Sequence, residues 1–355
     1  MERIWHRIID DRSNPIYWPA ALLLWILSIL YRSGLWFHNL KSTGGVKTKA
    51  PVISVGNLTV GGSGKTPIII ELARHFIKSG RKTTIVSSGY GRDSKENILG
   101  TGDELRDYDA IKMGDEPKMI SELLPSAIFA ISHSKSQAAA LADNKYSPDI
   151  ILVDDGFQHR RLHRDFDLLV IDSDTDLRHE YIFPLGRLRE PVSAMKRANG
   201  TLLVQKSVDA IDDNFIAWLK GKFDDKTFAT ANFYNDEIIS GDDHIPLKEI
   251  SNKRVYIFAG LGNNRSFENY VSSIFSGQFQ VRRFPDHCRY DPSDIKSICE
   301  DLHKHDPEYL ITTLKDYVKV RNLDFGLPLY YLNLRLEFDT AADKLFDMLE
   351  KILKY

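Results

Sequence analysis

One segment constrains this chain more than any other: Gly56-Asn57-Leu58-Thr59-Val60-Gly61-Gly62-Ser63-Gly64-Lys65-Thr66-Pro67. Before it, Pro51 to Val55 (PVISV) is a short β-branched run that reads as a buried strand. After it, Ile68 to Gly80 reads as a helix ended by glycine. Strand, glycine loop, Lys-Thr and helix form the phosphate-loop arrangement. Glycines let backbone N–H groups converge on phosphate oxygens, the lysine reaches the terminal phosphates, and the Thr66 hydroxyl is placed for Mg²⁺. The helix N-terminus adds partial positive charge. Thr59, Val60, Gly61, Gly62, Ser63, Gly64, Lys65 and Thr66 are therefore the candidate nucleotide-binding residues. The usual pattern asks for glycine where Thr59 stands, but Gly61 and Gly62 remain to supply the turns. The plainer alternative is a glycine-rich turn that merely caps a helix.

A second element supports the nucleotide reading. Asp149 to Asp155 (DIILVDD) is a hydrophobic strand ending in acids, the position from which a carboxylate reaches the metal of a phosphate-loop site. Asp154 and Asp155 are the candidate metal ligands with Thr66, and Asp155 doubles as a candidate for orienting the nucleophile. Thr83–Val86 and Phe166–Ile171 read as further strands. Alternating strands and helices imply an α/β fold with a mostly parallel sheet, whose ligands bind at the carboxyl ends of the strands.

At 355 residues the chain suits two domains. Its net charge of −2 provides no global field for nucleic acid, and no strong basic patch stands out. Two cysteines, Cys288 and Cys299, make neither a disulfide framework nor a cysteine zinc site, which fits a reducing compartment.

Near the N-terminus, Ile16 to Tyr31 is an uncharged apolar run flanked by Arg3, Arg7, Arg12 and Arg32 and rich in Trp and Tyr. As a helix the run is roughly 24 Å long, short of the roughly 30 Å hydrocarbon core of a bilayer. The expectation is a helix lying in or dipping into a membrane from the cytosolic side. The alternative is a buried core helix. A cleaved signal peptide fits less well, because no small-residue cleavage site follows the run.

Downstream, Gly114-Asp115-Glu116-Pro117 reads by itself as a helix start with Asp115 as N-cap. Arg189 in PLGRLREP is a candidate for phosphate charge, since a guanidinium binds two oxygens at once; its alternative is an ion pair with Glu190 or another acid. Arg160, Arg161 and Arg164 form a basic stretch that either faces lipid phosphate or is a solvated run. Thr227–Tyr234 and Glu237–Ser240 flank Asn235-Asp236 and read as a hairpin. Val255–Ala259 is a strand leading into Gly260-Leu261-Gly262, too incomplete a glycine motif to imply a dinucleotide. Thr340 is placed to cap a last helix near Ala341–Leu353 with Leu345, Met348, Leu349 and Ile352 on one face.

Taken together, the motifs resemble the tetraacyldisaccharide 4'-kinase family, the lipid A 4'-kinases of Gram-negative bacteria. The resemblance is carried by SVGNLTVGGSGKTP (Ser54–Pro67), SSGYGR (Ser87–Arg92), GDEP (Gly114–Pro117), DDGFQHRRL.RD (Asp154–Asp165), PLGRLREP (Pro184–Pro191), FAGLGN (Phe258–Asn263), FPDH..Y (Phe284–Tyr290) and TTLKD.VK (Thr312–Lys319). Leu314 stands where the family usually has glutamate and Asn264 where it usually has proline; Thr59 is usual for the family. The resemblance implies a P-loop kinase core and a smaller α/β domain joined by a two-stranded linker. On that pattern residues 1–45 are the membrane-associated segment, 46–226 the kinase domain, 227–252 the hairpin linker and 253–355 the smaller domain with its C-terminal helix. It implies ATP and Mg²⁺ as cofactors. The implied reaction is γ-phosphoryl transfer to the 4'-hydroxyl of a tetraacylated glucosamine disaccharide 1-phosphate, giving lipid IVA, by a monomer at the cytoplasmic face of the inner membrane. It also implies Asp115 as base with His287 as its partner, Asp155 being the second candidate base; Lys65 and Arg189 complete the catalytic set.

Two rival readings belong beside it. One is a phosphate-loop ATPase or GTPase switch acting on a protein, although Asn144-Lys145-Tyr146-Ser147 lacks the acid of a guanine-reading Asn-Lys-x-Asp motif. The other is a soluble small-molecule kinase whose N-terminal helix is core.

Overall fold

The structure is a computed structural model describing residues 2–12, 14–40, 45–62, 64–205, 211–223, 227–261 and 264–353. Ser63, Gly262 and Asn263 lie outside the described residues. Two helices open the chain, α1 (Glu2–Asp10) and α2 (Trp18–Leu40), and a third, α3 (Lys65–Lys78), follows the glycine loop.

Among the described residues thirteen strands form one sheet: β1 (Val52–Gly56), β2 (Thr83–Ser87), β3 (Ile98–Thr101), β4 (Ile128–Ile131), β5 (Ile150–Asp154), β6 (Phe166–Asp172), β7 (Gly200–Gln205), β8 (Thr227–Ser240), β9 (Asp243–Pro246), β10 (Val255–Gly260), β11 (Phe279–Phe284), β12 (Tyr309–Thr313) and β13 (Leu329–Phe338). The order is β11-β10-β12-β13-β8-β7-β6-β1-β5-β2-β4-β3, with β9 beside β8. From β4 to β8 the strands run parallel, as do those from β13 to β11. The two parallel blocks meet in the antiparallel β8–β13 pair.

The middle of the larger block is covered on both faces, so β1, β2 and β5 are buried at every residue and read as continuous apolar runs. On α3, Ile69, Leu72, Ala73 and Phe76 fall at helical spacing and fill the core beneath. β1 lies between β5 and β6, so its carboxyl end, with the glycine loop, opens beside that of β5.

Three sequence expectations change. Asn235-Asp236 is not a turn: β8 continues through it with a shift of register just beyond Asn235, which pairs with Leu334 of β13. The antiparallel partner satisfies that backbone, and Asn-Asp lacks the glycine of a tight hairpin. The hairpin turns instead at Gly241-Asp242, where Ser240 pairs with Asp243 and Gly241 takes φ +57°. The two parallel blocks are bridged by β8 paired with β13, two strands far apart in sequence. Second, the C-terminal helix Ala341–Ile352 does not join the smaller block, for its Ala342, Leu345 and Leu349 share the core of α3 and β1. Third, Thr340 makes no cap; the Asp339 carboxylate accepts from Ala342 N at 3.2 Å.

α2 is not a core helix. Trp18, Leu22, Leu23, Trp25, Ile26 and Leu30 are exposed, and Pro15–Leu35 is long and apolar enough to cross a membrane.

Candidate active site

The glycine loop leaves the end of β1 and enters α3 through Gly64, whose φ of +79° is a left-handed conformation that a side chain would strain. Lys65 begins α3 and folds back over the loop. Its Nζ donates to Asn57 Oδ1 at 3.2 Å and faces Asp155 Oδ1 at 3.3 Å. Asn57, itself buried, donates to Thr59 O at 2.8 Å and Thr59 Oγ1 at 3.2 Å. The hydroxyl at position 59 thus joins a hydrogen bond within the loop that a glycine could not make.

β5 delivers the paired acids. Asp154 is its last residue, and Asp155 turns out of it at φ +50°. A non-glycine residue there costs on the order of 1–3 kcal/mol, and Asp tolerates it better than most. The turn is pinned from below by Lys135, which is 3% exposed and donates to Asp154 O at 2.6 Å and Asp155 O at 2.8 Å. Asp155 accepts from Arg189 Nη1 at 2.8 Å. Burial alone would raise the Asp155 carboxyl, but Lys65, Arg189 and Lys135 hold it well below the usual carboxylate range. Asp154 goes the other way: burial, then the charge of Glu116, pushes it up to about 7.

These residues fit a divalent cation. Asp154 Oδ1 is buried and accepts no hydrogen bond among the described residues, and Glu116 adds negative charge nearby. Among the described residues no three His, Cys, Asp or Glu side chains gather into a cage. The donors that line the cleft, the Asp154 carboxylate and the Thr66 hydroxyl, are the hard oxygen ligands Mg²⁺ takes, with waters and substrate phosphates able to complete its shell.

The raised Asp154 carboxyl has a testable consequence for stability. Above its unfolded value of about 3.9 the unfolded chain releases this proton while the fold retains it, so native Asp154 loses stability as pH rises toward 7. Asp154→Asn should therefore melt at a higher temperature than wild type at pH 7.5 in chelator without nucleotide, with the gain gone near pH 4. A lower melting point at pH 7.5 would contradict the burial assignment.

Across the cleft stands Asp115. It is the first residue of helix Asp115–Leu123, with Gly114 rather than Asp115 as the N-cap. Its Oδ2 accepts from His287 Nδ1 at 2.9 Å and Lys319 Nζ at 2.7 Å. Although burial opposes it, the His287 and Lys319 hydrogen bonds hold the Asp115 carboxyl below its ordinary value. His287 comes from the smaller block at φ +58°, and its Nε2 lies 3.3 Å from Lys315 Nζ, which also donates to Asp286 Oδ1 at 2.7 Å. Tyr90, in the SSGYGR loop, packs edge-on against the imidazole at 5.4 Å. The larger block thus supplies the carboxylate and the smaller one its partners.

Glycine loop, paired acids, Asp115 and His287 all line one cleft of about 2160 Å³. That exceeds the roughly 300–1,000 Å³ of ordinary small-molecule pockets. Arg187 and Arg189 line it too, as do His6, Arg7 and Asp10 from α1. The basic stretch does not. Arg160 pairs with Glu190 at 3.1 Å, Arg164 with Asp167 at 2.8 Å, and Arg161 is exposed away from the cleft. Glu190, 3% exposed, also takes both Arg197 nitrogens, so Arg189 pairs with Asp155 and not with its neighbour.

Sequence reasoning passed over Lys135, Glu116, Lys315 and Lys319. For the last two a signal existed, since TTLKD.VK places them four residues apart and on one helical face. Lys135 carried none, for its position depends on how its helix meets the end of β5.

A parallel sheet with a lysine-bearing glycine loop beside paired acids, facing a carboxylate–imidazole pair across a deep cleft, defines a phosphate-loop phosphotransferase. Comparison with known proteins narrows this. The family model for tetraacyldisaccharide-1-P 4'-kinase matches residues 20–354. The tetraacyldisaccharide 4'-kinase of Aquifex aeolicus is 32% identical over 327 residues, 90% of this chain and 95% of that one. That of Bdellovibrio bacteriovorus is 32% identical over 285 residues, 78% of this chain and 81% of that one. Among solved structures, LpxK from Aquifex aeolicus in complex with ATP superposes with a TM-score of 0.76 at 28% identity, covering 94% of this chain and 99% of that one. The chain belongs to the tetraacyldisaccharide-1-P 4'-kinase family.

Proposed function

We propose that this protein transfers the γ-phosphoryl group of ATP to the 4'-hydroxyl of a tetraacylated glucosamine disaccharide 1-phosphate, giving lipid IVA in lipid A biosynthesis. The observation that carries the chemistry is the Asp115–His287 pair facing the Lys65 loop across one cleft. Phosphoryl transfer needs positioning and charge neutralisation more than covalent help. Lys65 and the loop amides hold the β- and γ-phosphates. Arg189, already aimed at Asp155, lies within reach of the same charge. Thr66 and Asp154, with Asp155 beside them, would hold Mg²⁺, which when bound would neutralise phosphate charge.

Asp115 takes the proton of the sugar hydroxyl. Among the described residues its His287 and Lys319 contacts fall on Oδ2, which leaves Oδ1 to face the acceptor. His287 and Lys319 orient the carboxylate and keep it ionised at neutral pH. The exposed apolar stretch of α2 holds the enzyme at the cytoplasmic face of the inner membrane, where an acylated acceptor lies. The protein acts as a monomer.

The test is γ-labelled ATP with purified disaccharide 1-phosphate in detergent micelles. Label should appear in the glycolipid at the 4' position and depend on that acceptor. Label released only as inorganic phosphate, at the same rate with and without acceptor, would favour the nucleotide-switch reading.

A further inference from the structure

The segment from Glu180 to Arg189 touches the phosphate loop on one side and the N-terminal helices on the other. On the loop side, Thr59 bridges Leu188 in antiparallel fashion, Val60 N donates to Arg187 O at 2.8 Å, and Arg189 N donates to Leu58 O at 2.6 Å. On the helix side, Trp5 Nε1 donates to Pro184 O at 2.7 Å, and the Tyr31 hydroxyl donates to Arg189 O at 3.2 Å. The Phe183 ring packs near both, 5.8 Å from Trp5 and 5.5 Å from Tyr31. Asp10 pairs with Arg187. Buried Glu180 accepts from Arg12 and from Arg187.

Arg189 is consequently held at three points: its N–H by the loop, its carbonyl by α2, and its guanidinium by Asp155. The segment is also tied to itself, with Phe183 N donating to Leu188 O at 2.8 Å, Leu188 N to Tyr181 O at 2.9 Å and Gly186 N to Ile182 O at 3.2 Å, so its backbone groups are satisfied and a shift at its helix-side edge is carried to its loop-side edge. A helix serving only as an anchor would need no hydrogen bond to the residue that grips Asp155.

We propose that α1 and α2 are positioning elements of the phosphate site, acting through this segment as a strut. Trp5 and Tyr31 are its positioning residues. The inference rests on the reading of the glycine loop as a phosphate cradle, and it makes the membrane-facing helices and the nucleotide site one mechanical unit.

The test is the double variant Trp5→Phe/Tyr31→Phe in the full-length chain. It keeps both rings packed near Phe183 and removes both donors. Affinity for a non-hydrolysable ATP analogue should fall about three- to tenfold, the share of two hydrogen bonds that reaches the site. Without nucleotide, the Val60 and Arg189 amides should exchange hydrogen faster, while the Ile151 amide of β5, bonded to Pro51 O just before β1, should not change. General loosening would quicken all three. Unchanged exchange at Val60 and Arg189 overturns the strut. Faster exchange there with affinity within about twofold of wild type overturns its role in positioning the phosphate site. Because the exchange measurement needs no nucleotide, it judges the strut even if wild type failed to bind the analogue, a result that would count against the cradle reading instead.

Discussion

Asp115→Ala should lower kcat by about 10²–10⁴-fold, the range for loss of a positioned general base. Affinity for ATP should stay near that of wild type, because Asp115 belongs to the far wall of the cleft and makes no contact with the glycine loop among the described residues. Asp115→Asn is the sharper form of the experiment. It preserves shape but removes the charge that accepts a proton, so it should be nearly as slow as alanine. Its partners would remain in place: Lys319 still donates to Cys288 O at 3.1 Å, and Lys315 still faces His287. Single-turnover rates with saturating acceptor, alongside nucleotide titrations, separate the two effects. An alanine variant keeping more than a tenth of wild-type turnover would remove Asp115 as base and pass the role to Asp155.

Lys65→Ala should act on binding and rate together. Loss of a charged hydrogen bond, about 1.5–3 kcal/mol, corresponds to roughly 10- to 150-fold weaker nucleotide binding. The rate should fall by a further factor of about 10²–10³, as on losing one donor aimed at developing charge. The variant would also leave Arg189 paired with the Asp155 carboxylate and Lys135 on its backbone carbonyl. Lys65→Arg should not rescue, since a planar fork cannot follow the path of the ammonium to Asn57 and Asp155. Calorimetric titration with ATP and Mg²⁺ measures the first effect and quenched-flow the second. Normal binding by the alanine variant would place the phosphates elsewhere and dissolve the site.

Both predictions join residues that sequence reading handled unequally. The glycine loop and the acid-ended strand were legible because each is a local device: a turn that must take positive φ, a lysine next to it, and an apolar run that must end where ligands bind. The apolar stretch of α2 was legible for a similar reason, since hydropathy needs no partner to be read. Asp115 was not legible by local physics. Its tetrapeptide looks like an ordinary helix start, and only resemblance to a family singled it out. The misplaced hairpin at Asn235-Asp236 shows the same limit, because whether an Asn-Asp pair turns or extends is decided by a strand roughly a hundred residues later.

What the sequence determined by itself was therefore the chemistry on offer at each short segment: phosphate-cradling amides, metal-seeking acids, an apolar helix, alternating strands and helices. Tertiary structure alone decided which of these meet. It placed Asp115 against His287 and Lys319 from the other block, turned Arg189 to Asp155 rather than Glu190, buried Lys135 beneath the acids, and seated Tyr31 on the backbone of Arg189. The physical reason is range. Backbone propensity and hydropathy act over a few neighbouring residues, whereas a hydrogen bond, an ion pair or a carboxyl moved by burial depends on groups brought within a few ångströms by the whole packed sheet.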